Sequence, residues 1–559
     1  MPIIKHMKTI NDAKDILKKY YGYESFRPGQ GELIEAVISG RDALGIMPTG
    51  AGKSLCFQIP ALLAEGITIV ISPLISLMKD QVASLNAAGV HAAYLNSSLT
   101  ARQYEKALEI AKTGRYKLIY VAPERLDTPR FLDFALDPRV NISFLAVDEA
   151  HCVSQWGQDF RPSYLKIMDF VKKLPKRPVL GAYTATATRQ VRDDIRKILE
   201  LEDPKCITTG FDRDNLYFAV EKPKDKYAAL RFYIREKEDA MPGLSGIVYC
   251  GTRKNVEMVT ERLIQDGFSA AAYHAGMSEE DRSRNQEAFI NGEVQIMVAT
   301  NAFGMGIDKP DVRFVVHFNM PKDMESYYQE AGRAGRDGEM AECMLFYSGR
   351  DVKMNEYFIN LDNENEDMTE EEKEVIRERD RERLKKMTFY CFSKTCLRDY
   401  ILRYFGEVGK AKCDNCSVCL GRGTGESPKY ASKERVRRER SITFNIPEGL
   451  GDAEYDSERA AAYSAQASEG MSRRQRKQSM LDSMSGSDRE IFDALREVRT
   501  KLAKEHHTHP YIIFADKTLV LMSKARPHTK AEMLEISGVG EYKYEKYGEE
   551  FLNALNSFR

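Results

Sequence analysis

Up to about residue 350, short and continuously apolar runs alternate with segments whose apolar residues recur at helical spacing. Residues 67–72, 117–122, 142–147 and 179–184 have no regular polar alternation, which is the pattern of strands buried on both faces of a parallel sheet. A second series follows at 246–250, 295–300, 313–318 and 343–347. Strands and helices in alternation predict two tandem, doubly wound α/β domains, residues 1–208 and 209–348, joined near 208–213. Residues 361–386 are highly charged, with Val375, Ile376, Leu384 and Met387 spaced to pack one side of a helix, so 349–421 reads as a helical module. From 422 to 485 the texture turns to Gly, Ser, Ala, Glu and Arg, with basic clusters at 435–440 and 473–477, and predicts a flexible linker. Periodicity returns in 486–559, where Ile491, Leu495, Val498 and Leu502 mark the stripe of a small helical bundle.

Composition narrows the classes. A chain of 559 residues exceeds one core, and a net charge of −1 means that any surface for nucleic acid is local. The start, Met-Pro-Ile-Ile-Lys-His, lacks an apolar signal core and no run is long enough to cross a bilayer, so a cytoplasmic location is expected. Five of the ten cysteines fall between Cys391 and Cys419, and in a reducing compartment that clustering points to a metal.

Two segments carry nucleotide chemistry. Met47-Pro-Thr-Gly-Ala-Gly-Lys-Ser54 follows an apolar run and precedes a helix-compatible segment. Gly50 and Gly52 let backbone amides turn toward phosphate oxygens, Lys53 can reach the β- and γ-phosphates, and Ser54 can place a hydroxyl on Mg²⁺; Thr49 and Ala51 complete the loop. Met47 stands where the usual pattern has glycine. Asp148 and Glu149 then end the apolar strand 142–147, where Asp148 can hold Mg²⁺ and Glu149 can position or deprotonate the attacking water. In Gln329-Glu-Ala-Gly-Arg-Ala-Gly-Arg-Asp337, Arg333 and Arg336 lie about one helical turn apart; one is a candidate arginine finger, the alternative being surface salt bridges.

Cys413-x2-Cys416-x2-Cys419 places three thiols within seven residues, the donor set of a closed, structural zinc site. Cys396 is the preferred fourth ligand, because the intervening helix can fold back, with Cys391 as competitor. His506, His507 and His509 read as a solvated loop.

These motifs, in this order, resemble the superfamily-two helicases and within them the RecQ family of DNA helicases. The resemblance runs through Phe26-Arg-Pro-Gly-Gln30, 72–81, Asp148-Glu-Ala-His151, Thr184-Ala-Thr-Ala-Thr188, Tyr273-His-Ala-Gly276, 302–307 and 329–337. It implies that Gln30 and Arg27 recognise adenine, that His151 belongs to the catalytic set, and that the motor moves 3′ to 5′ on single-stranded DNA. Cys152-Val-Ser-Gln-Trp-Gly-Gln-Asp-Phe-Arg-Pro162 resembles the family's aromatic-rich loop, so Ser154, Gln155, Trp156, Phe160 and Arg161 are expected to couple DNA to hydrolysis, Trp156 by stacking on bases. Burial of Trp156 and Phe160 in the core is the alternative. The cysteine spacing, with Tyr404-Phe-Gly-Glu407, resembles the family's zinc module, and 486–559 resembles its HRDC domain. There, the turn at Gly538-Val-Gly540, with Lys543, Lys546 and Tyr547, is a candidate DNA contact.

One departure qualifies the resemblance: the winged helix that commonly precedes the HRDC domain has no counterpart pattern in 422–485. The expected function is an ATP-, Mg²⁺- and zinc-dependent 3′-to-5′ DNA helicase of recombination, repair and replication restart. Tailed or forked duplexes, single-strand-binding protein and other repair factors are its expected partners, and a monomer associated with the nucleoid its expected form. The alternatives are a DNA-stimulated translocase or annealing factor that unwinds weakly, and a DNA-binding scaffold that uses ATP only as a clamp.

Overall fold

In the computed structural model, residues 8–157, 160–240, 243–303, 309–361, 370–421, 486–506, 508 and 510–558 are described. The expected linker and missing wing at 422–485, together with Gln158, Asp159, His507, His509 and residues 304–307, lie outside them.

The first lobe is built on seven strands: β1 Ala43–Ile46, β2 Ile67–Ile71, β3 Ala92–Leu95, β4 Leu118–Val121, β5 Ile142–Val147, β6 Val179–Thr184 and β7 Lys205–Thr208. They form one parallel sheet in the order β3-β4-β2-β5-β6-β1-β7. Four of them, β1, β2, β4 and β5, are apolar at nearly every position because helices cover both faces of the sheet. The register sets Ile46 of β1 beside Thr184 of β6, and Ala182 of β6 beside Val147 of β5. The loops after these three neighbouring strands therefore emerge side by side, at the carboxyl edge where open α/β sheets bind ligands.

The second lobe repeats the design with β8 Leu216–Glu221, β9 Ser245–Tyr249, β10 Ala270–Tyr273, β11 Ile296–Ala299, β12 Val312–His317 and β13 Ala341–Phe346. Its parallel order is β10-β11-β9-β12-β13-β8. Residues 209–215 carry the chain from β7 into this sheet.

Helices Gly349–Leu361, Glu370–Cys391 and Leu397–Tyr404 pack on the second lobe through Leu384, Met387 and Tyr390, and the Tyr390 hydroxyl donates to the Tyr327 hydroxyl at 3.1 Å. Val375 departs from the expectation for this helix, being 62% exposed. The first half of the helix makes ion pairs along its own surface, Lys373–Glu370, Arg377–Glu374 and Arg381–Glu374, in place of apolar contacts. The last unit, from Gly486–Glu505 to Glu549–Asn556, closes its own core around Leu495, Phe514, Leu519 and Phe551. Among the described residues, no helix is long and apolar enough to cross a membrane.

Arg398 ties the third of these module helices to the second lobe. Its guanidinium is buried and donates to Asp212 Oδ1 at 2.6 Å and to the carbonyls of Arg213 and Leu216. Arg398→Ala removes three charge-assisted bonds from a buried joint, so it is expected to cost about 2–4 kcal/mol in urea unfolding. A change below about 0.5 kcal/mol, the size of an ordinary surface substitution, contradicts this account of the joint.

Candidate active site

The loop after β1 turns at Gly50 and Gly52, whose φ angles of +83° and +82° lie where side chains are strained. A Cβ on Gly52 would stand 2.5 Å from Gln30 Nε2, so a larger residue there would displace that side chain as well as strain the backbone. Helix Leu55–Leu63 starts directly after Ser54 and points its amino end at the loop. Arg27, Gln30, Thr49, Gly50, Gly52, Lys53, Ser54, Asp148, Glu149 and His151 border a single cleft of about 560 Å³, and Arg333 and Arg336 border it from the second lobe. This volume suits a nucleotide. Of the arginine pair, Arg333 is buried and Arg336 half-buried. The Gln30 side chain accepts from Arg27 N at 2.9 Å and donates to Ala51 O and Gly52 O at 3.1 and 3.0 Å, while Arg27 Nη1 donates to Gly50 O. Both residues here brace the phosphate loop.

The acidic pair follows β5 next door. Lys53 Nζ lies 3.5 Å from Glu149 Oε1. Glu149 has φ +47°, strained for a non-glycine residue and the kind of strain that collects at functional sites. Burial, then the charge of Glu149, pushes the Asp148 carboxyl well above the usual range. Burial opposes ionisation of Glu149 too, but Lys53 and His151 outweigh it and hold that carboxyl low. Two buried acids of opposed tendency form a pair that an added cation would bring to full ionisation.

A polar chain leaves this pair for the other lobe. His151 Nδ1 lies 3.4 Å from Glu149 Oε2 and 2.8 Å from Thr184 Oγ1. The Thr184 hydroxyl donates to Thr186 O at 3.1 Å, which leaves it to accept from His151 and assigns the proton to Nδ1. Gln329 Nε2 donates to Thr186 Oγ1 at 3.0 Å, and Gln329 lies one turn before Arg333.

Several residues in or beside the cleft are absent from the expected set. Arg213, in the join between lobes, donates to Thr49 O at 2.9 Å and to the carbonyls of Gly332, Ala334 and Gly335 at 3.3, 2.9 and 2.7 Å. Tyr23 borders the cleft, as do Lys517, Thr518 and Ser537 of the last unit. That unit docks on the first lobe through its Gly-Val-Gly turn: Gly538 N donates to Gly22 O at 2.9 Å, and a Cβ on Gly22 would stand 2.6 Å from Val539 N. The turn thus serves a protein contact here, not an exposed phosphate site. Lys543 and Tyr547 also face inward, Lys543 Nζ donating to Ile512 O at 2.6 Å with burial bringing its ammonium down to about 8, and Tyr547 lying in the core. Lys546 covers the Tyr547 ring at 5.1 Å. Nothing in the sequence brings residues of this unit to the nucleotide cleft.

The aromatic-rich loop leaves the turn Ala150–Val153 directly. Trp156 is 41% exposed and not a core residue, Gln155 is exposed and Phe160 half-buried. Ser154 faces inward, donating to Asp194 Oδ2 at 2.5 Å and accepting from Trp156 N at 3.1 Å, and Arg161 donates to Pro73 O at 3.0 Å. Ser154 and Arg161 anchor the loop, and Gln155 and Trp156 face solvent.

In the third module the Sγ atoms of Cys396, Cys413, Cys416 and Cys419 lie within 4.8 Å of one another. Four thiolates around zinc stand about 3.8 Å apart, so a four-coordinate, closed site fits this donor set. Cys391 is buried elsewhere, beside Lys222, which decides between the two candidates for the fourth ligand.

A phosphate loop and acidic pair on one RecA-like lobe, faced by guanidinium groups of a second, define a two-lobed ATPase motor of the helicase class. Family models described as DEAD/DEAH box helicase, helicase conserved C-terminal domain, RecQ zinc-binding and HRDC domain match residues 27–194, 225–338, 349–420 and 488–555. The chain is 38% identical to the ATP-dependent DNA helicase RecQ of Bacillus subtilis (strain 168), covering 98% of this chain and 99% of that protein. It is 37% identical to the protein of the same name from Pasteurella multocida, covering 98% and 94%. Among solved structures it is similar in fold to Mss116p bound to ssRNA and AMP-PNP, with a TM-score of 0.52 at 17% identity over 64% of this chain and 75% of that one. The chain belongs to the RecQ family of ATP-dependent DNA helicases and is an ATP-hydrolysing enzyme.

The zinc geometry gives a direct expectation. Purified protein should hold one zinc per chain by elemental analysis; Cys396→Ala should lose most of it and Cys391→Ala should keep it. Retention by the first and loss by the second reverses the assignment.

Proposed function

We propose that this helicase translocates 3′ to 5′ along single-stranded DNA and separates duplexes during recombination, repair and replication restart. The observation that carries the reading is the shared cleft, in which Lys53 and Glu149 of one lobe face Arg333 and Arg336 of the other. Phosphoryl transfer needs positioning and positive charge around the γ-phosphate, and little covalent chemistry from the protein. In this reading the amides of Gly50, Ala51 and Gly52 cradle the phosphates and Lys53 bridges the outer two. Ser54 and Asp148 would hold Mg²⁺, which neutralises charge on the phosphate oxygens when bound. Glu149 orients the attacking water and takes its proton, with His151 fixing the carboxylate. Arg333 and Arg336 complete the charge from the far side.

Gln30 and Arg27 select adenine by exchanging their bonds to the phosphate loop for the base, so nucleotide entry and loop release are one event. Closure of the lobes on ATP and parting after hydrolysis advance the protein if their grips on the strand alternate. The aromatic-rich loop reports DNA to Glu149 through the short turn that joins them. The protein acts as a monomer at the nucleoid, on tailed or forked duplexes and alongside single-strand-binding protein.

Lys53→Ala should lower DNA-stimulated turnover at least about a hundredfold. Glu149→Gln should do so while ATP affinity stays within about threefold, as expected for a group acting on the transition state. Equal loss of binding and turnover in the glutamine variant removes Glu149 from its role. For direction, a 3′-tailed duplex should be displaced and a 5′-tailed one should not; the reverse order refutes the polarity, and hydrolysis without displacement favours a translocase.

A further inference from the structure

The aromatic-rich loop belongs to the first lobe, yet the groups that hold its tip belong to the module fixed on the second. Helix Glu370–Cys391 is anchored in the second lobe by Leu384, Met387 and Tyr390, as described above. Two arginines on the same helix reach across. The Arg379 guanidinium lies 5.1 Å from the centre of the Trp156 ring. Arg383 Nη2 donates to the carbonyl of Trp156 and, at 3.4 Å, to that of Gly157. Arg383 is mostly buried, with 12% of its side chain exposed, and is held from behind by Asp380 at 3.5 Å. Asp323 and Glu325 of the second lobe add negative charge around it.

The held end of the loop lies next to the catalytic turn. A Cβ on Gly157 would stand 2.1 Å from His151 O, and Ser154 N donates to that same carbonyl at 3.2 Å. Movement of the tip therefore presses on or relaxes the backbone of His151. Arg379 also covers the ring that a base would stack on, so the two occupants compete for Trp156.

We propose that Arg383 and Arg379 form a latch that holds the aromatic-rich loop in a DNA-free resting position, and that single-stranded DNA must displace it. Both are positioning residues acting through the loop, and the proposal rests on the DNA-coupling role given to that loop above. Charge-assisted bonds to two carbonyls bias latched over released loop by about tenfold to a hundredfold. A binder that needs the minor state has its apparent affinity reduced by the fraction in that state, so removing the latch tightens apparent DNA binding.

Trp156 is the sole tryptophan of the chain, so its emission, excited at 295 nm, reports this loop alone. The zinc-loaded full chain is compared with Arg383→Ala, Arg383→Lys and Arg379→Ala, each checked for zinc content and melting, with oligo(dT) as the DNA. Wild-type emission should change on oligo(dT). Arg383→Ala without DNA should already resemble the DNA-bound wild type. Its half-maximal oligo(dT) concentration for ATPase should fall about tenfold, while kcat at saturating DNA stays within about twofold. Arg383→Lys, which keeps one charged donor, should lie between, and Arg379→Ala should alter DNA-free emission with a smaller gain in apparent affinity. If Arg383→Ala keeps the wild-type emission and DNA dependence, or needs more DNA, the latch is refuted, the latter result making Arg383 a DNA contact. If the alanine variant loses zinc or melts early, Arg383→Lys and Arg379→Ala decide on the same readouts. If oligo(dT) leaves wild-type emission unchanged, the coupling role of the loop fails first, an outcome distinct from failure of the latch.

Discussion

One guanidinium, that of Arg213, joins the two lobes at the point where chemistry needs them together. It lies in the short connection between the sheets and donates to a carbonyl of the phosphate loop and to three carbonyls of the turn that carries Arg333 and Arg336. Burial pulls it below the usual arginine range, but arginine stays charged, so its bonds to carbonyls are the strong, charge-assisted kind. Asn215, two residues on, donates to Gly335 O and Glu339 O and stiffens the same turn. These bonds tie one wall of a cleft made by two separate sheets to the other. Here the loop and the arginine turn share a backbone-bonded centre, and motion of one lobe on the other has to work against it.

A second link crosses the cleft through side chains, from Glu149 by way of His151, Thr184 and Thr186 to Gln329. It runs beside the strained backbone of Glu149, whose left-handed conformation is sustained by its surroundings. The zinc-type module braces the arrangement from outside: Arg398 holds the connection near Arg213, and Glu407 accepts from Phe211 N at 3.1 and 2.9 Å. Phe211 also stacks on Phe405 at 4.6 Å and meets Tyr328 edge-on at 5.8 Å. The module is part of the joint between the lobes as well as a metal site, and Lys517, Thr518 and Ser537 of the last unit border the cleft.

How much of this could be read from the chain depended on burial. Strands β2, β4, β5 and β6 were readable because helices on both faces make them uninterrupted apolar runs. Strands β3 and β10, Ala-Ala-Tyr-Leu and Ala-Ala-Ala-Tyr, are short, half-buried edge strands of low β propensity and left little trace. The nucleotide residues were readable because their chemistry requires fixed local spacing. Arg213 and Lys517 were not, since their roles come from proximity between distant segments and no local pattern marks them. Val375 shows the same limit from the other side: helical spacing proposes a packed face but cannot supply the surface it would pack on.

In the proposed mechanism a second-lobe guanidinium completes a site that the first lobe builds. Single-turnover hydrolysis with saturating oligo(dT), measured on Arg333→Ala and Arg336→Ala alongside binding of a non-hydrolysable ATP analogue, tests it most directly. At least one variant should lose about a thousandfold in rate while analogue affinity stays within about threefold, the signature of charge supplied in the transition state. Rates within about twofold of the unmodified protein for both variants, and for the two changes combined, would contradict it.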